Sequence, residues 1–505
     1  MLHTALQKDI DSKWDDCWPM NSLRPLAILD LTSYLFFLKK LDEENLIDES
    51  VFKSHSDNFN GSKNVDELRW RKFKNLDAQD LHELFTKKNG IADSIKIYGQ
   101  TDFPYSNFLK GPLLLTPTAT LLVACIDIIK IIEAEDADTK SGIFEYLLNK
   151  AEIIGQNGQI FLPANIISQM VSLLQPGAND IIWDPCAGNG CLLVKSADYI
   201  TRKKFIAAPN IENILDSQRF AGVESDLINV RIGAMNMILH GMHTSELQTS
   251  DASMLMYIHR STQPVLIISN LFFAATEDKM TVEENTLKTA STRKEITFLN
   301  LILKSLKPGG RAVVIIPDVI LYSNRTGIKS LRQQIIDNCK LEAVISVPGK
   351  NDSHFSGGII MIFSEASRSK TDKVWFYKSR TSGDNINSGD GNNDYLEILN
   401  QWENREKQIE KNEAHESFYV TAAAIKNNNY NLVFNEYKML LKKQQLFEKI
   451  EEVGTEKKNS FANTGQSSRR NTRKKEVKRK SYIKVVLIVL TSLVVCYLAY
   501  LASKR

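Results

Sequence analysis

Three short stretches carry side chains suited to chemistry. In Asp180-Ile-Ile-Trp-Asp184-Pro-Cys-Ala-Gly188-Asn-Gly190-Cys-Leu-Leu193 an apolar run ends in an acid, crosses a small-residue loop and re-enters an apolar pattern. That pattern predicts a strand, a tight turn and a helix start, which together bring backbone N–H groups close to a ligand. Glycine suits 188 and 190 because a Cβ would block positive φ or close approach, although such turns also close ordinary αβ units. Glu224, in Ala-Gly-Val-Glu224-Ser, ends the next strand-like run. An acid there either accepts hydrogen bonds from ribose hydroxyls or is simply solvated. Val265-Leu-Ile-Ile-Ser269 then delivers Asn270-Leu-Phe-Phe273. This offers an amide that can accept from an exocyclic amine and an aromatic that can stack on an extruded base. The plainer reading is a capping Asn followed by core aromatics. Asp251, ahead of that strand, either meets an adenine amino group or serves no ligand.

The elements that must position these residues follow from the pattern. Strand-like runs cover 181–184, 220–224, 265–269, 312–316, 341–347 and 358–363, with helical patterns between them at 228–239 and 297–306. Alternation on this scale predicts a doubly wound α/β sheet with an antiparallel edge near its end. Residues 1–150 read as a helical N-terminal domain, with apolar faces at 28–41 and 121–132. A sheet domain is expected over 151–380, a charged helical region over 381–450 and a basic flexible linker over 451–483. Six scattered cysteines, with no Cys-x-x-Cys pair, read as reduced thiols rather than a disulfide framework or a metal site.

The net charge of +3 is uneven, because residues 466–505 hold eleven Lys/Arg against the single acid Glu476. The preceding body is therefore mildly acidic and shows no strong electrostatic grip on nucleic acid. Residues 1–20 are polar and show no signal sequence. Val485 to Ala502 is an uncharged run which as a helix would span about 27 Å, close to the hydrocarbon thickness of a bilayer. A transmembrane helix over 484–503 is expected on this basis. By the positive-inside rule its basic upstream flank would keep the N-terminal body in the cytoplasm, in a single-pass membrane protein.

Taken in order, Gly158-Gln-Ile-Phe161-Leu-Pro163, Asp184-Pro-x-x-Gly188-x-Gly190, Glu224 and Asn270-x-x-Phe273 resemble the amino-methyltransferases. More narrowly, the chain resembles the modification (M) subunit of type I restriction–modification systems. The helical N-terminal segments Trp14-Asp-x-x-Trp18 and Leu68-Arg-Trp70-x-x-Phe73, and Leu306-Lys-Pro-Gly-Gly310, fit the same likeness. The resemblance implies a class I S-adenosylmethionine-dependent methyltransferase fold and adenine-N6 DNA methylation. It implies S-adenosyl-L-methionine held by Phe161, Pro163, Asp184, Gly188, Gly190, Glu224 and Asp251. Asn270 and the carbonyl of Leu271 would accept from the adenine N6 amine, Phe273 would stack on the flipped base, and no metal is needed. DNA would be reached through a separate specificity subunit, with a restriction subunit as a further partner.

Two departures touch that site. The family's Asn-Pro-Pro-aromatic becomes Asn270-Leu-Phe-Phe273, and its Phe-Thr-Pro becomes Phe161-Leu162-Pro163. Losing both prolines removes the φ restraint that aims the amide. Two readings result: a working methyltransferase subunit tethered to the membrane, or an anchored, catalytically impaired relative that binds cofactor, DNA or a partner. Methyl transfer to RNA or to protein amides is a third.

Overall fold

The computed structural model describes residues 4–17, 25–55, 62–114, 116–151, 160–204, 215, 219–242, 246–248, 265–273, 284–349, 355–366, 370–379, 394–406, 417–444 and 446. The chain divides into two compact units, Met1–Asn435 and Glu436–Arg505. The first holds every element discussed below. In the second, residues 436–444 are helical.

Among the described residues, the elements from Thr4 to Ala151 are all helices. The helices used below are α1 (Pro25–Glu43), α2 (Ala119–Ala134), α3 (Ala137–Ala151), α4 (Ala164–Leu174), α5 (Cys191–Lys204), α6 (Leu227–Leu239), α7 (Glu284–Ser305) and α8 (Thr326–Asn338). The strands are β1 (Ile181–Asp184), β2 (Phe220–Val223), β3 (Glu246–Gln248), β4 (Val265–Asn270), β5 (Arg311–Ile316), β6 (Cys339–Pro348), β7 (Gly357–Glu365), β8 (Lys373–Lys378) and β9 (Ser417–Thr421). They form one sheet in the order β3-β2-β1-β4-β5-β7-β6-β8-β9. β3, β2, β1, β4 and β5 run parallel, and β7 is antiparallel to both β5 and β6.

The α/β expectation thus holds, and its antiparallel strand β7 lies inside the sheet. Val265-Leu-Ile-Ile and Ala312-Val-Val-Ile-Ile are buried throughout, as parallel strands covered on both faces must be. Each such Val, Leu or Ile side chain contributes about 1.5–3 kcal/mol on burial. Ser417–Thr421 forms β9 inside the 381–450 stretch, where the sequence predicts helix. Its Phe418 and Tyr419 pair with Phe376 and Trp375 of β8, so an aromatic ladder decides the conformation despite the charged flanks.

Helix α6 fastens the N-terminal helices to the sheet. Asp226 caps it, its carboxylate accepting from the Ile228 N–H at 3.0 Å. One turn in, Arg231 is 1% exposed and forms an ion pair with the equally buried Asp30 of α1. It also donates to the carbonyls of Phe108 and Lys110, both at 2.6 Å, and lies 3.5 Å from the centroid of the Tyr34 ring. A guanidinium can be buried here because donors on both sides of its fork find acceptors.

The expected membrane helix needs correction. Among the described residues no helix is long and apolar enough to cross a membrane, and 484–503 lie outside those residues. The membrane localisation and cytoplasmic orientation rested on that helix and fall with it.

Candidate functional site

β1 and β4 are neighbours, so their carboxyl ends place Asp184 beside Ser269 and Asn270. The glycine turn follows β1 directly, with φ of 55° at Gly188 and 74° at Gly190, the left-handed region that a Cβ disfavours. A Cβ on Gly190 would meet nothing nearer than 3.5 Å, so conformation rather than space calls for glycine there.

A cleft enclosing about 330 Å³ of free space, part of it open to solvent, lies over these strand ends. It brings together Phe161, Asp184, Gly188 and Asn270 of the expected residues, and adds Leu162 and Asn189 to them. Pro163 stands just before α4, where its fixed φ begins the helix. Gly190, Glu224, Leu271 and Phe273 do not line the cleft. Asp251 lies outside the described residues.

Asp184 is fully buried. Its Oδ1 accepts from the Ser269 hydroxyl at 2.7 Å and from the Cys186 N–H at 3.0 Å. Its Oδ2 is buried without a hydrogen-bond partner among the described residues. Burial pushes this carboxyl up to about 7, against the pull of those two donors and with a further push from the charge of Glu224. An acceptor atom left bare in an apolar cleft calls for a cationic or hydrogen-bond-donating ligand. Glu224 reaches the same loop from β2, accepting from the Gly188 N–H at 2.9 Å and from the Asp226 N–H at 2.8 Å. Burial raises its pKa too. The Cys186 and Cys191 thiols are held protonated, the latter pushed up to about 12, chiefly by burial.

Asn270 is held at both ends of its amide. Its Nδ2 donates to the Ile160 carbonyl at 2.6 Å and its Oδ1 accepts from the Phe272 N–H at 3.1 Å. The Ile160 N–H donates in turn to the Phe272 carbonyl at 2.8 Å, so the segments around 160 and 270 are laced together. Leu271 is fully buried and donates to the Ile315 carbonyl at 3.0 Å. Phe273 stacks on Phe298 of α7, with centroids 5.9 Å apart at 15°, and the Lys294 ammonium lies 5.5 Å from its centroid.

Sequence reasoning missed Ser269, Ile160 and Asn236, whose Nδ2 donates to the Asn189 carbonyl at 3.0 Å inside the glycine turn. The available signal was a polar residue inside an apolar run: Ser269 ends Val-Leu-Ile-Ile, and Asn236 sits mid-helix among methionines.

Sheet order, reversed strand and cleft together define an α/β fold of the class I methyltransferase type. The profile of the N-6 DNA methylase family matches residues 135–445, and the chain belongs to that family. S-adenosylmethionine is the family's cofactor, and a buried carboxylate oxygen without a donor beside a glycine turn fits it.

Among curated proteins, the chain is similar to the type I restriction enzyme EcoEI methylase subunit of Escherichia coli, at 26% identity over 239 residues, 47% of this chain and 48% of that one. It is also similar to the StySJI methylase subunit of Salmonella typhimurium, at 23% over 343 residues and 62% of each. The chain therefore matches less than two thirds of the length of these relatives. Among solved structures, a chain from a type I restriction–modification assembly superposes with a TM-score of 0.65 at 17% identity, covering 92% of this chain and 99% of that one. A modification subunit from Vibrio vulnificus, assigned to a type I restriction enzyme, gives 0.56 at 19% identity, covering 83% and 92%.

Proposed function

We propose that this chain is the methyl-transferring subunit of a type I modification enzyme, acting on the N6 amine of adenine in DNA. DNA contact would run through a separate specificity subunit, in keeping with the acidic body, with a restriction subunit as a further partner. The observation that carries this reading is the meeting of Asp184, the Gly188–Gly190 turn and Asn270 at adjacent strand ends of a family-matched sheet.

When bound, S-adenosylmethionine supplies a methyl group on a sulfonium, which needs positioning more than activation. In this proposal Asp184 Oδ2 meets the cationic methionine end and the glycine turn admits close approach. Glu224 takes the ribose hydroxyls, while Phe161 shapes the far wall next to Pro163 at the start of α4. Asn270 Oδ1 and the Leu271 carbonyl accept from the N6 amine, building tetrahedral character on the nitrogen. Phe273 offers a stacking face to the base once it turns from Phe298.

A second reading, a cofactor- or partner-binding relative with impaired transfer, is favoured by one observation. The Phe272 N–H already takes one of the two lone pairs of the Asn270 oxygen that the amine would use. Calorimetric titration of the whole chain with S-adenosylmethionine tests the premise common to both. Binding is expected, and Gly190→Trp should abolish it; unchanged binding in that variant overturns the loop assignment.

A further inference from the structure

Away from the cleft, three helices bring unlike ligand groups together. Glu145 on α3, Asp198 on α5 and His240 at the C-terminal cap of α6 place one donor atom each within 4.8 Å of one another. The His240 Nε2 and Glu145 Oε1 atoms are 3.6 Å apart, near the roughly 3.4 Å edge of a tetrahedron around a metal with bonds of about 2.1 Å. His240 Nδ1 lies 2.8 Å from the Asn236 carbonyl. A carbonyl only accepts, so Nδ1 carries a hydrogen and Nε2 is the ring atom that faces the two carboxylates. Metal-binding histidines are oriented in this way.

Burial separates the roles of the three. The His240 side chain is 4% exposed, whereas Glu145 is 44% exposed and leaves a path for an ion to enter. The Lys195 ammonium reaches Asp198 only at 3.9 Å, a loose pair that an ion could displace. Imidazole with two carboxylates suits a divalent transition ion better than magnesium or calcium, which prefer oxygen alone.

The geometry points to a zinc-type site formed by Glu145, Asp198 and His240, with a fourth position for water. It joins α3, from the N-terminal helices, to α5 and α6 of the sheet. The site also adjoins the glycine turn through one residue, because Asn236 orients His240 with its carbonyl and holds Asn189 with its amide.

Equilibrium dialysis of the whole chain against zinc chloride, with bound metal read by mass spectrometry, tests this. One zinc per chain is expected, not displaced by equimolar magnesium. His240→Ala and Glu145→Gln should each weaken retention at least tenfold, while Cys191→Ser leaves it unchanged. Glu145 is half exposed, so its variant decides the matter even where His240→Ala fails to fold. Absence of stoichiometric zinc, leaving His240 and Glu145 as a plain ion pair, overturns the proposal. Retention that survives Glu145→Gln or is lost with Cys191→Ser also overturns it.

Discussion

Replacing Phe272 by proline deletes one N–H from the candidate site, the one that holds Asn270 Oδ1 at 3.1 Å. Phe272→Ala keeps that N–H and is the proper reference. Both variants lose the same ring, which is 8% exposed and set edge-on to Phe355 at 5.5 Å. Both therefore share a stability loss of up to about 3–5 kcal/mol. Both keep the Phe272 carbonyl that receives the Ile160 N–H. The residue before a proline must be extended, and Leu271 continues β4 by donating to Ile315. The difference between the variants is then the hydrogen bond that an incoming amine must displace or share. Such a bond is worth about 0.5–1.5 kcal/mol net, or roughly two- to tenfold in rate. Single-turnover methyl transfer from labelled S-adenosylmethionine to DNA, with the specificity subunit present, measures that ratio. The proline variant should be about two- to tenfold faster than the alanine variant, with equal cofactor affinity. A ratio of one or less, with both variants folded by circular dichroism, refutes the idea that this N–H restrains Asn270.

Other consequences are equally direct. Because burial holds the Asp184 carboxyl at about 7, cofactor affinity should be full above that pH and fall as pH drops through it, by up to about tenfold per unit. Calorimetry between pH 6 and 8 reads this dependence, and Asp184→Asn should flatten it; a flat curve in the parent chain contradicts the assignment. Ser269→Ala removes the 2.7 Å donor to Asp184 and should move the midpoint of that curve upward. Arg231→Leu leaves Asp30 buried without its partner and should cost about 3–5 kcal/mol in urea unfolding. A loss under 1 kcal/mol would show that the N-terminal helices do not depend on this cluster.

Much of the frame was legible because local pattern and tertiary role agree. β1 runs over the four residues that the apolar run and Asp184 marked out, and the glycine turn follows where the small residues fall. β3 is three residues long, too short for periodicity to register. The polar contacts of the site were illegible for another reason. Ser269 and Asp184 are 85 residues apart, and Asn270 and Ile160 are 110 apart. Only the tertiary fold makes them neighbours, and no local propensity encodes it. The departure at Leu271-Phe272 could be seen as lost proline rigidity, but the donor it adds became visible only with the backbone in place.

Labelled methyl transfer to duplex DNA by the whole chain, with its specificity subunit and with product analysis, tests the central claim most directly. The account predicts label on adenine N6, abolished by Asn270→Ala while S-adenosylmethionine still binds. Bound cofactor without any transfer in the complete assembly, or label on another atom, would contradict it.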